Sequence, residues 1–250
     1  MSDNKANDIR HQALAIEHSN PRKAINLLVE AIKLYRDTWT VANVILDDVI
    51  RIGQANGYWD ETIFACKMAQ ELKPEYRKSY SVTEKESCLL KDGRPAEALE
   101  TRLAYDIADF KARKIGFLSP QLHRYGDRFT ELGLHDRAWQ LYNEAVAQAV
   151  AEKLSPHPIR QSMARLLLKE NKPQSAVELL IAGICEATRF NTEIPNPLVK
   201  DLRKALNTSG LNLRLKSLRD LPEEIIAACK TKGEQSAIEV YHKCLAEIKQ

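Results

Sequence analysis

Apolar side chains recur along this chain at helical spacing, not in the alternation that marks strands. Six segments, NPRKAINLLVEAIKLY, YWDETIFACKMAQELKP, GRPAEALETRLAYDIAD, GLHDRAWQLYNEAVAQA, NKPQSAVELLIAGICEA and GEQSAIEVYHKCLAEIK, align on one small residue each: Ala24, Thr62, Ala98, Ala138, Ala176 and Ala237. Successive anchors are 38, 36, 40, 38 and 61 residues apart. Four residues after them stand Leu28, Cys66, Arg102, Tyr142, Leu180 and Tyr241, and three further on Ala31, Ala69, Tyr105, Ala145, Gly183 and Cys244. These offsets share one face of a helix. Each segment therefore presents a small, bulky, small stripe against which a second helix packs closely. Arg102 and Tyr105 break the rule.

Five residues before the anchors lie Ser19, Gly57, Gly93, Gly133 and Asn171, residue types that close a helix in the left-handed conformation. The sixth segment has Lys232 there and Gly233 one place late. Pro21, Asp60, Pro95, Asp136 and Pro173 follow as first-turn or cap residues. Upstream of each turn runs another amphipathic stretch, at 7–18, 40–54, 76–91, 120–132, 158–170 and 222–230. The pattern predicts an all-α chain of about six helical hairpins near 5–37, 40–75, 76–114, 119–153, 156–190 and 217–250, in a single domain over 1–250. The interval 191–216 is an insertion before the last hairpin. Its Leu198, Leu202 and Leu206 predict one extra helix over 197–207, with a second short element before Pro222. Bridging or capping the array is its expected role; folding over a groove or docking a partner is the alternative.

In the fourth hairpin Leu122, Tyr125, Gly126 and Phe129 stand 16, 13, 12 and 9 residues before Ala138, and Met163, Ala164 and Leu167 hold the last three of those offsets in the fifth. Pro74 stands twelve after Thr62. In these residues the chain resembles the tetratricopeptide-repeat (TPR) family over about 5–190 and 217–250. It departs from that family in its longer spacing and in Gly53, where a large residue is expected. The resemblance implies a TPR-like superhelix whose concave groove is lined mainly by the first helices. By offset the groove positions are Asp47, Arg51 and Gln54, then Thr83 and Ser87, then His123, Arg124, Asp127 and Thr130, then Gln161, Arg165 and Lys169. Some members grip a terminal carboxylate with an asparagine one place after the first groove position; here Asp48, Glu84, Arg124 and Ser162 stand there, so that clamp is not expected. Arg51, Arg124 and Arg165 favour a ligand with acidic side chains.

Composition narrows the function classes. With 44% apolar and 28% charged residues in 250, the chain is long enough to bury a core. The apolar run at 176–185 is about ten residues long and carries a glutamate, short of the ~18 a bilayer span needs. The opening MSDNKANDIRHQALAIEHSN lacks the basic-then-apolar order of a secretory signal, so a cytoplasmic location without membrane insertion is expected. A net charge of +3 gives little general attraction to phosphate and disfavours nucleic acid. Five cysteines, no two closer than fifteen positions, match neither a disulfide framework nor a zinc half-site. They read as reduced thiols, with Cys66, Cys185 and Cys244 in the core. No Gly-rich phosphate loop, H-E-x-x-H or G-x-S-x-G is present and the six histidines are scattered, so neither enzymatic activity, metal nor cofactor is expected.

The expected function is a non-enzymatic protein–protein interaction adaptor or scaffold that holds a peptide or protein segment in its groove. Two other classes stay open: the sensor or output module of a larger bacterial-type signalling or regulatory system, and a helical-repeat RNA binder. Against the latter, no position repeats the Asn, Asp, Ser or Thr choice that base reading from hairpin to hairpin requires. In the last helix Ile238, Tyr241, Leu245 and Ile248 form a stripe, and a homodimer through it is expected if nothing in the chain covers it.

Overall fold

A computed structural model describes residues 2–113, 116–190, 193–211, 213 and 218–248. Among these residues there are thirteen α-helices and no strand. The helices are α1 (Ser2–Ile16), α2 (Pro21–Tyr35), α3 (Leu46–Asn56), α4 (Trp59–Leu72), α5 (Arg77–Lys91), α6 (Pro95–Arg113), α7 (Ser119–Glu131), α8 (His135–Ala151), α9 (His157–Lys169), α10 (Pro173–Arg189), α11 (Asn196–Thr208), α12 (Leu221–Thr231) and α13 (Glu234–Ile248). A wide π turn at Val41–Ile45 leads into α3. The chain forms two compact units, Met1–Arg113 and Lys114–Gln250, where the sequence reading has one domain; the boundary falls between the third and fourth hairpins. In the first unit α1 packs on α2, α3 on α4 and α5 on α6; in the second, α7 on α8, α9 on α10 and α12 on α13, with α11 laid against α10. The extra helix of the insertion is thus α11. Most of the short element expected before Pro222 lies outside the described residues.

Backbone chemistry sets the hairpin turns. Gly57, Gly93, Gly133 and Asn171 have φ of 72°, 71°, 74° and 58°. The next amide in each turn, of Tyr58, Arg94, Leu134 and Lys172, donates back to the carbonyl of Gly53, Leu89, Phe129 and Leu167 at 2.8–2.9 Å, satisfying an end group of the helix. Ser19 departs from this scheme. There Asn20 donates its amide to the Ile16 carbonyl at 2.7 Å, and its side chain accepts from the Lys23 amide at 3.1 Å to cap α2.

All six anchors are at most 1% exposed. Size compensation around them explains two departures from the repeat pattern. A Cβ on Gly53 would stand 2.1 Å from Thr62 Oγ1. The anchor there is threonine instead of alanine, so the facing position shrinks to glycine. In the third hairpin Arg102 replaces the bulky apolar residue. Its Nε and Nη2 donate to Glu86 Oε2 at 2.9 and 2.6 Å, and Nη2 also donates to Thr83 Oγ1 at 2.7 Å. Ser87 Oγ donates to the Thr83 carbonyl at 2.8 Å, and Glu86, Thr83 and Ser87 are all buried. A charged pair fills the space that apolar side chains fill elsewhere.

The fourth hairpin is fastened at its open end. Glu152, just past α8, accepts from the Leu118 amide at 2.6 Å through Oε1, and from the Ser119 amide and hydroxyl at 3.2 and 2.6 Å through Oε2, capping α7 from another helix. Burial raises its pKa, but hydrogen bonds from Ser119, Gln148 and Leu118 outweigh that and hold the carboxyl below its usual 4.5. A depressed carboxyl contributes stability above its unfolded pKa and loses it as pH falls through the folded one. Glu152→Gln is therefore expected to cost about 1–2 kcal/mol at neutral pH. The difference from wild type should shrink as pH falls below 4.5 and through the folded pKa, read from urea unfolding across an acid pH series.

Candidate interaction surface

Polar residues on the first helices of each unit bond across to the next first helix or, for α9, to the inserted helix α11. In the first unit Arg10 Nε on α1 donates to Asp48 Oδ2 on α3 at 2.6 Å. Arg51 on α3 returns to Glu17, just past α1, through Nη2 at 2.6 Å and Nη1 at 3.4 Å. The Arg51 hydrogen bond keeps the Glu17 carboxyl below its ordinary value. Asp47 accepts from Tyr80 of α5 at 2.8 Å and from Lys73 Nζ at 3.0 Å, and Lys73 also donates to the Tyr80 hydroxyl at 3.0 Å. Burial presses the Lys73 pKa down, but Tyr80 and Asp47 more than reverse this, so the buried ammonium stays charged.

In the second unit Gln161 Nε2 and Arg165 Nε on α9 both donate to Asp201 Oδ2 on α11, each at 2.7 Å. His123 Nε2 on α7 lies 2.8 Å from Ser162 Oγ on α9. Asp127 Oδ2 is 3.6 Å from that same nitrogen, and Asp127 Oδ1 accepts from the Tyr142 hydroxyl at 2.8 Å. Serine, histidine and aspartate thus meet, but not as a nucleophilic triad. Such a triad needs the carboxylate on the opposite ring nitrogen, where it fixes the tautomer that lets the first nitrogen take the serine proton. Burial lowers the His123 pKa against the pull of Asp127, so the ring is mainly neutral at pH 7 and acts as a polar link between α7 and α9.

The groove positions read from sequence therefore divide. Asp47 and Arg51 take part in the links between first helices, Gln161 and Arg165 in a link from α9 to the inserted helix α11, and His123, Asp127 and Thr130 gather around Tyr142 or Ser162. Arg124 is exposed and donates to Gln121 at 2.6 Å; Gln54 is half-buried and Lys169 exposed. Thr83 and Ser87 do not lie on an open surface. Both are buried in the hairpin interface, because Arg102 and Glu86 draw the polar face of α5 inward. The partners Glu17, Lys73, Tyr80 and Asp201 escaped the sequence reading. A signal for them exists: the linked residues Glu17–Arg51, Asp47–Tyr80, His123–Ser162 and Arg165–Asp201 are 34, 33, 39 and 36 positions apart, close to one repeat.

The stripe proposed for self-association is covered within the second unit. Tyr241 and Leu245 are buried in its core and Ile238 packs against it, so the condition set for a homodimer there is not met; the Ile248 side chain lies outside the described residues. Between α12 and α13 runs an open groove of about 480 Å³ lined by Glu224, Ala227, Thr231, Ser236, Val240 and Lys243, among others. Among the described residues no cluster of three or more His, Cys, Asp or Glu is placed to hold a metal, and no helix is long and apolar enough to cross a membrane. A scan against protein-family models finds no match to the chain, and a search of curated proteins finds none either.

Proposed function

We propose that this chain is a cytoplasmic, non-enzymatic protein-interaction adaptor: a TPR-like array of helical hairpins that takes a peptide or protein segment with acidic side chains along its first helices. The support is the repetition of polar links about one repeat apart, which join α1 to α3, α3 to α5 and α7 to α9, and α9 to the inserted helix α11. Arg51 and Arg165 are 54% and 53% exposed beside the carboxylates they already hold. A guanidinium carries five donors, so a ligand carboxylate adds to these pairs without displacing Glu17 or Asp201. Association of this kind is steered by charge and weakens with salt.

Quantitative capture from native lysate tests the proposal with wild type and the Arg51→Ala/Arg165→Ala variant. An acidic partner should be recovered several-fold less with the variant. Equal recovery would place the partner elsewhere on the chain.

A further inference from the structure

Two of the cysteines meet in the core of the second unit. Cys185 of α10 is 1% exposed and Cys229 of α12 is 5% exposed. Cys229 Sγ donates to the Ile181 carbonyl at 3.8 Å. In α10 that carbonyl also accepts the amide of Cys185, four residues on. The sulfur of Cys229 thus rests on the helical turn that carries Cys185, with both residues in one buried cluster. The neighbouring thiol, chiefly as a donor to a Cys185 thiolate, draws the Cys185 pKa down, and the same neighbour together with burial pushes that of Cys229 up. By contrast, burial pushes the thiol of Cys66, in the first unit, up to about 12.

We propose that Cys185 and Cys229 are a reversible dithiol–disulfide pair whose oxidation by a peroxide locks the α12–α13 hairpin onto α10. The Cys185 thiolate attacks one oxygen of hydrogen peroxide; the O–O bond breaks, and the departing hydroxide takes up a proton as water, leaving a sulfenic acid. The Cys229 sulfur then attacks the Cys185 sulfur, expelling hydroxide, which leaves with the Cys229 proton as a second water. Two thiols give up two electrons, the peroxide accepts two, and one S–S bond forms. A dithiol reductant reverses the change by thiol–disulfide exchange, ending as its own disulfide. Local opening of the hairpin admits the small oxidant. Because α12 packs on α10 and α13 on both, the new bond restrains the whole hairpin and the groove between its helices.

The full-length protein is treated with hydrogen peroxide under native conditions, blocked with N-ethylmaleimide, and digested with trypsin without reduction. Peptides 170–189 and 220–230 each contain one cysteine. The expected product is these two peptides joined, lighter by two hydrogens than their sum. It should appear with a rise in melting temperature of roughly 5–10 °C that dithiothreitol reverses and that Cys185→Ala and Cys229→Ala both lack. If either variant fails to fold, the peptide masses from wild type decide. Recovery of the two peptides unjoined, as free thiols or as sulfinic acid, would overturn the proposal; so would a temperature shift that persists in both variants.

Discussion

Replacing Arg102 with alanine is expected to cost about 3 kcal/mol of folding stability. The loss lies chiefly in what is left behind. Glu86, whose side chain is 9% exposed, would lose both guanidinium bonds to Oε2, and Thr83 would lose the donor at its hydroxyl. An uncompensated buried carboxylate costs more than the pair contributes when intact, because the desolvation of Glu86 remains while the attraction that offset it has gone. The Arg102 side chain is 19% exposed, which admits some water and keeps the expected loss at the lower end for broken buried pairs. Replacing both partners, as Arg102→Met with Glu86→Leu, should recover most of the stability, since apolar side chains of similar volume fill the same space. Chemical denaturation of Arg102→Ala, and of wild type, Arg102→Met, Glu86→Leu and their combination as a double-mutant cycle, measures this. A loss below about 1 kcal/mol in the single variant would class the pair with weak, water-screened surface bridges.

Gly126→Val is expected to cost a comparable amount, about 3 kcal/mol, for a steric reason. A Cβ at Gly126 would lie 2.5 and 2.6 Å from Cε1 and Cδ1 of Tyr142. The ring has nowhere to move: it is 1% exposed, and its hydroxyl is held by Asp127 at 2.8 Å and lies 3.1 Å from Thr130 Oγ1. Gly183 supplies the control. A Cβ there would approach nothing closer than 3.6 Å, so Gly183→Ala should gain up to about 1 kcal/mol from helix propensity. Thermal unfolding of both variants separates the cases. Similar losses at the two sites would mean that close approach to Tyr142 is not what requires glycine in α7.

These two sites also show what was legible in the sequence. Gly126 and Tyr142 stand twelve before and four after the anchor of the fourth hairpin, and Glu86 and Arg102 hold the same offsets in the third. One contact is filled by a small and a large residue in one hairpin and by opposite charges in the other. Read one position at a time, Arg102 is a break in the stripe; read as a pair, it is complementary. The same polar substitution turned Thr83 and Ser87 inward, away from the groove assigned to them. Turns were easier, because Gly57, Gly93, Gly133 and Asn171 act through their own backbone and need no partner to be recognised. Lys153 shows the converse: it takes φ of 58° after α8 with a residue type that carries no such signal. At the candidate surface Arg51 and Arg165 were visible as groove positions, but Glu17 belongs to the neighbouring hairpin and Asp201 to the inserted helix, and recognising the links requires comparing the chain with itself one repeat away.

The complementarity across each hairpin bears on how such a chain is shuffled by recombination. Joining α5 to α8 at a tight turn would set Glu86 opposite Tyr142 and strand a carboxylate without a cation. The reciprocal splice of α7 to α6 would drive Arg102 against the glycine meant to receive an aromatic ring. Crossovers in the connections between hairpins avoid both conflicts, so the inheritable module is the pair of helices and not the single helix.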